Sequence, residues 1–204
     1  MIELSKRMSL IAKIVEERPL LGKTAMMKFI FILQQAYKVP LGYDYEIYTY
    51  GPYSSTVMED IQLASDFATI DMKVVIFPNG HSGYQLNVAS ETKAAINREQ
   101  NFLEAYSEYI SEVIQLFGNK TAKELELSST IIYIYSNYSQ NKWDNSMDEV
   151  SQSVKRIKPH FDINEIKRDY ETLYKIGILQ KSASYTCKYP FLYVFAHIYL
   201  GDSE

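Results

Sequence analysis

Cysteine is almost absent from this 204-residue chain. The one thiol, Cys187, closes no intramolecular disulfide and builds no cysteine metal cage. That suits a reducing compartment, so a cytoplasmic setting is expected. Long apolar runs are missing as well. The densest, Phe29 to Leu33, is far short of the roughly 20 residues a membrane-spanning helix needs. The opening Met-Ile-Glu-Leu-Ser-Lys-Arg lacks the apolar stretch of a signal peptide, and no membrane partner is expected. Charge of one sign is scarce too. Residues 1–98 hold ten Lys/Arg and ten Asp/Glu, and residues 99–204 hold eleven and fifteen, for a net charge of −4. Neither half has the basic bias of a non-specific nucleic-acid binder.

The tools of catalysis are equally thin. None of the three histidines, His81, His160 and His197, has a His or Cys at metal-ligand spacing. There is no Gly-x-Ser-x-Gly elbow and no phosphate-binding loop. Cys187 lies beside Lys188, but a Cys-His mechanism needs a positioned imidazole, and His197 is the nearest in sequence. Acidic pairs such as Glu59-Asp60, Glu124 with Glu126, and Asp148-Glu149 read as solvated helix faces. No enzymatic activity, metal or cofactor is expected.

What is present is apolar and aromatic. Hydrophobic residues make up 47%, ample for a packed core, and there are 18 tyrosines against one tryptophan. Tyrosine joins apolar area to a polar tip, which suits interfaces. Leu4, Met8, Ile11, Ala12 and Val15 predict a helix over 4–17, ended by Pro19, and a second runs from about Thr24 to Tyr37. Tyr45 to Tyr50 reads as one aromatic strand, broken by Gly51-Pro52. Ser54 or Ser55 then caps a third helix with Val57, Ile61 and Ala64 on its apolar stripe. Two β-rich runs, 72–77 and 83–88, flank Pro78-Asn79-Gly80 as a hairpin. Helices are expected over 99–118, 122–137, 146–157 and 163–176, with Gly177 closing the last. Lys188 to Leu200 is read as a further helix. The order of elements predicts an α+β, mostly helical chain: a winged helix–turn–helix domain at 1–98 and a helical domain at 99–204.

Some of these residues resemble a known family. Gly22, Lys28 and Phe29-Ile30-Phe31, with the run Tyr45-Glu46-Ile47-Tyr48-Thr49-Tyr50-Gly51-Pro52-Tyr53-Ser54, look like the signature of the YwgA family of bacteria and archaea. Ser128-Ser129-Thr130-Ile131, Ile157-Lys158-Pro159, Phe161, Glu165, Tyr170, Leu173 and Gly177-Ile178 extend the likeness to about residue 180. The Tyr-Gly-Pro core is also similar to the SocA-like (Panacea) antitoxin or adaptor domain. That resemblance implies neutralising a toxin by contact, or delivering it to a protease, with the winged-helix part as the contact surface.

Charge then weighs between two roles. A winged helix that reads DNA inserts its third helix into the major groove. Here that helix, residues 53–68, carries Glu59, Asp60 and Asp66 and no Lys or Arg, the wrong sign for phosphates. The hairpin wing offers only Lys73 and His81, while Lys6, Arg7, Lys13, Arg18, Lys23 and Lys28 on the first two helices are candidates for a basic patch. A protein partner with a basic surface, such as a toxin, a nuclease or a protease substrate, fits better. A second copy of the chain is a further candidate, and the apolar runs 131–135 and 189–195 read either as C-terminal core or as an interface. The expected contact residues are Lys28, Tyr50, Gly51, Pro52 and Tyr53, with Glu59, Asp60 and Asp66 on the third helix. A dimeric winged-helix regulator of transcription is the alternative.

Overall fold

The computed structural model describes residues 3–76, 80 and 82–183. Phe77 to Asn79 of the expected hairpin turn, His81, Cys187, His197 and the expected helix at Lys188–Leu200 lie outside the described residues. The fold is α+β and mostly helical, with two small antiparallel sheets. Among the described residues no helix is long and apolar enough to cross a membrane. Contacts divide the chain into two units, and the division is not a single cut in the sequence. The first holds the chain up to Gln34, 39–43 and 54–122; the second holds 35–38, 44–53 and the chain from Lys123. The expected boundary at residue 98 thus falls inside the first unit.

In the first unit, α1 (Leu4–Glu17) buries Ile11, Ala12 and Val15 of the expected stripe, with Leu10 and Ile14 beside them, while Leu4 is exposed and Met8 half-buried. Arg18 caps its end and donates to the carbonyl of Gly118 at 3.1 Å. A two-residue strand, β1 (Leu21–Gly22), leads into α2 (Lys23–Gln35), which is buried from Met26 to its end. Then come α3 (Ser55–Asp66), β4 (Ile70–Ile76) and β5 (Ser82–Val88); the strands β2 and β3 that intervene in sequence belong to the second unit. The sheet runs β1-β5-β4, all antiparallel. The helix expected over 99–118 is instead two, α5 (Gln100–Ala105) and α6 (Ser107–Phe117), and a helix that was not expected, α4 (Thr92–Arg98), precedes them. All three contact α1. An unbroken helix over 92–117 would be about 39 Å long at 1.5 Å per residue, too long to stay against the shorter α1, so the chain bends at Glu99 and Tyr106.

The second unit is built on α7 (Ala122–Gln140), in which every residue from Leu125 to Tyr138 is buried. Such burial leaves no room for unsatisfied hydroxyls. Ser129 and Thr130 donate to the Glu126 carbonyl at 3.1 and 2.7 Å, and Asn137 donates to that of Tyr133 at 2.8 Å. Two amphipathic helices, α8 (Met147–Ile157) and α9 (Ile163–Lys175), pack on each other, and α10 (Ile178–Ser182) follows against α9. Asp162 caps α9 through the Asn164 amide at 2.8 Å. Gly177 takes the left-handed conformation, φ 78°, that its place after α9 called for.

The expected single strand at 45–50 needs correction. It is the first arm of a tight hairpin, β2 (Glu46–Tyr48) and β3 (Gly51–Tyr53), with Thr49-Tyr50 as the loop. Gly51-Pro52 does not end the strand; it starts the return arm. Gly51 at φ 87° lets the chain reverse, and Pro52 sits opposite Ile47 in a two-stranded ribbon, where a missing N–H is tolerated.

Candidate functional site: a clamped aromatic hairpin

The β2–β3 hairpin lies against α7 so closely that a glycine is required. A methyl group at Gly51 would meet Thr130 Oγ1 at 3.1 Å, Ser129 Oγ at 3.2 Å and the Glu126 carbonyl at 3.3 Å. The small residues Ser129 and Thr130 are thus the floor on which the turn rests. The loop is held from above by a lysine. Pro159 drives the residue before it out of the helix, so α8 ends at Ile157 and Lys158 leaves helical geometry at φ −126°, ψ 70°. Its side chain is only 4% exposed, and its ammonium donates to the Tyr48 carbonyl at 2.7 Å and to the Thr49 carbonyl. Glu126 Oε1 stands 3.1 Å from the same nitrogen, so the buried charge is matched. His160 Nε2 lies 3.4 Å from the same carboxylate oxygen, and its ring sits 4.3 Å from that of Phe161, tilted by 40°.

This clamp fixes the backbone and leaves the side chains outside. Tyr48 and Tyr50 are 64% and 67% exposed, an unusual state for two neighbouring aromatics. The Tyr48 ring is 5.6 Å from that of half-buried Tyr53. Beneath the tyrosines opens a cleft of about 560 Å³, bounded by Tyr48, Tyr50, Ile157, Lys158, Glu126 and His160. Lys158 and Glu126 cancel each other's charge, so the cleft offers aromatic and aliphatic walls rather than a strong field. Its chemistry suits recognition. Among the described residues no group of three or more His, Cys, Asp or Glu is placed to hold a metal.

The eight residues expected at a contact surface separate by unit. Tyr50, Gly51, Pro52 and Tyr53 lie together in the hairpin of the second unit, and Lys28, Glu59, Asp60 and Asp66 in the first. Gly51 and Pro52 are buried, so they shape the turn and Tyr50 is what they present. On α3, Glu59 and Asp66 are exposed. Asp60 is not: it is 3% exposed, with Arg7 Nε at 3.1 Å and the Tyr43 hydroxyl donating to it at 2.7 Å. The Arg7 guanidinium also lies 5.0 Å over the Tyr43 ring. Burial, reinforced by the bond to Asp60, pushes the Tyr43 hydroxyl far above the usual tyrosine range. Asp60 therefore ties α1 to α3 and is unavailable as surface. Lys28 is likewise buried, at 2%. Its place was misjudged because α2 is apolar on every side and offers no solvent face to snorkel to.

Tyr48, Lys158, Glu126 and His160 were not among the expected site residues. Tyr48 lay inside the reading of a single strand, where its exposure is invisible. Lys158 and Glu126 are 32 residues apart in sequence, and only the packing of α7 beneath the hairpin makes them a pair. The dipeptide Lys158-Pro159 was the one local signal, since proline dictates the backbone that aims the lysine. In comparisons with protein-family models, curated proteins and solved structures, the chain matches none.

Proposed function

We propose that this chain is a non-enzymatic, cytoplasmic partner-binding protein of antitoxin or adaptor type, which engages another protein through the tyrosines of the β2–β3 turn. The carrying observation is the pairing of exposure with rigidity: Tyr48 and Tyr50 stand two-thirds bare on a loop whose carbonyls are locked by Lys158. Rigid aromatics bind with little loss of side-chain freedom, and they dominate the energetics of protein interfaces. The cleft beside them, about 560 Å³, has room for more than one apolar side chain of the partner.

The order α1-β1-α2-α3-β4-β5, with sheet order β1-β5-β4, supports reading the first unit as a winged helix with the β2–β3 hairpin inserted between its second and third helices. That order also favours a second reading, a DNA-binding regulator. Charge weighs against it. Exposed Glu59 and Asp66 lie on the helix that would meet phosphate. The basic residues of α1 are engaged at home: Lys6 with Glu3 at 3.5 Å, Lys13 with Glu16 and Glu17 at 3.1 and 3.2 Å, and Arg7 with Asp60. A protein partner with a basic surface fits exposed Glu59 and Asp66 better.

The test is affinity capture of the tagged chain from its host, in parallel with Tyr48→Ala/Tyr50→Ala. Both side chains are solvent-exposed, so the variant is expected to fold with unchanged thermal stability. One protein recovered near stoichiometry by the native chain, and reduced about 30-fold or more by the variant, is the expected outcome. Equal recovery by both would remove the hairpin from the interface. Nucleic acid released by raised salt, with no protein, would replace the proposal with the regulator.

A further inference from the structure

We propose that β4 pairs antiparallel with β4 of a second copy of this chain, about a two-fold axis at Met72. In the sheet order β1-β5-β4, β4 has a strand on one side only among the described residues. It runs unbroken for seven residues, from Ile70 opposite Val88 to Ile76 opposite Ser82, without bulge or proline. Natural edge strands are usually blunted by such devices, or by several charges. β4 has one lysine, Lys73, and that lysine is part of the pattern that identifies the occupant.

The two faces of the strand differ in kind. Ile70, Met72, Val74 and Ile76 share a face with Tyr84 and Leu86 of β5. At the base that face is core, with Ile70 at 1% and Leu86 at 0% exposure. Toward the tip it is bare: Val74 is 65% exposed, Ile76 80% and Tyr84 44%. Just before the strand begins, Phe67 is 62% exposed. Uncovered apolar surface therefore sits at both ends of β4, and antiparallel pairing with itself brings the tip of one strand to the start of the other. With Met72 opposite Met72, Val74 faces Ile70 of the second copy, and Ile76 reaches Ala68, beside its Phe67.

The other face chooses the register. Asp71 and Lys73 are two apart and reach each other at 2.9 Å within the chain. An acid and a base placed symmetrically about Met72 are their own complement under a two-fold axis. Asp71 falls opposite Lys73 of the second copy, and Lys73 opposite its Asp71. Moving the axis to Lys73 would set lysine against lysine, and moving it to Val74 would set Lys73 against Val75. Opposite charges across a ladder stabilise the pairing and like charges oppose it, so one register is favoured and the matching strand is the chain's own. An extended segment of another protein has no reason to carry this spacing.

Sedimentation equilibrium of the full chain reads the result directly. The expected outcome is a dimer of the 23.6 kDa chain at micromolar concentration. Asp71→Lys and Lys73→Asp, both at exposed side chains, should each weaken it about tenfold or more, because each puts like charges opposite one another twice. The double variant D71K/K73D restores both pairs and should return dissociation to within about threefold of the native value. Circular dichroism confirms that all four chains are folded. A native chain that stays monomeric at 100-fold higher concentration overturns the proposal, and so does a dimer indifferent to the single substitutions. Loss in the single variants without recovery in the double overturns the register. Tyr48→Ala/Tyr50→Ala should leave the dimer untouched, which separates this surface from the one proposed for the partner.

Discussion

The two hairpins of this protein are made by different means. The β2–β3 ribbon has three residues per arm, too few to hold a shape in water, and it is fastened from outside. Lys158, about 110 residues away in sequence, grips its loop carbonyls, and Gly51 lets it settle on α7. The β4–β5 ribbon has seven residues per arm, and its own ladder holds it, with β1 alongside. The short hairpin is therefore rigid where it is exposed, and the long one projects an apolar tip beyond its core. A turn that must present side chains in a fixed pose needs a buried anchor; a strand that pairs edge to edge needs only regular backbone.

The contrast can be broken most severely at Lys158. Lys158→Met removes one partner of a buried ion pair and strands Glu126, so a loss of about 3–5 kcal/mol is expected, read by urea denaturation. A loss below 1 kcal/mol would mean that the loop is held by packing alone. Gly51→Ala comes next. It forces an alanine to φ 87° and its methyl to within 3.1–3.3 Å of α7, at a cost of about 1–3 kcal/mol. Partner capture should fall with it, because the tyrosines lose their pose. An unchanged midpoint would show the turn to be more yielding than its contacts suggest.

The smallest effect lies at another lysine of the second unit, Lys38. Lys38 donates to the carbonyls of Gln35 at 2.6 Å and Ser182 at 3.4 Å, and burial pulls its ammonium down to about 8. A lowered lysine binds its proton less well folded than unfolded. Stability should therefore rise as pH increases from about 8 toward the ordinary lysine value near 10.5. Because the group is half exposed, the gain should stay well under about 1 kcal/mol. Lys38→Met should flatten that slope in a series of urea midpoints across this range. A slope that survives the substitution would assign it to other groups.

Local pattern was a good guide wherever one face of an element meets one neighbour. Leu4, Met8, Ile11, Ala12 and Val15 announced α1, the β-rich runs announced β4 and β5, and Gly177 marked the end of α9. It failed where several neighbours compete for one stretch. The bends at Glu99 and Tyr106 carry no glycine or proline; they arise because α4, α5 and α6 all follow α1. At the site, Tyr50 and the special role of Gly51-Pro52 were legible. Asp60 was read as a surface acid because its helix position looked solvated, while Arg7 and Tyr43 enclose it from elsewhere in the chain.

Side-chain chemistry along the chain was enough for the class of fold, for most helix ends and for an aromatic turn shaped by glycine and proline, since these depend on neighbours within a few residues. Packing alone decided which charges are buried, which tyrosines are bare and what grips the turn. The Lys158–Glu126 pair and the Arg7–Asp60–Tyr43 cluster join residues tens of positions apart, and burial, which depends on every element that closes over a side chain, is not written in any one of them.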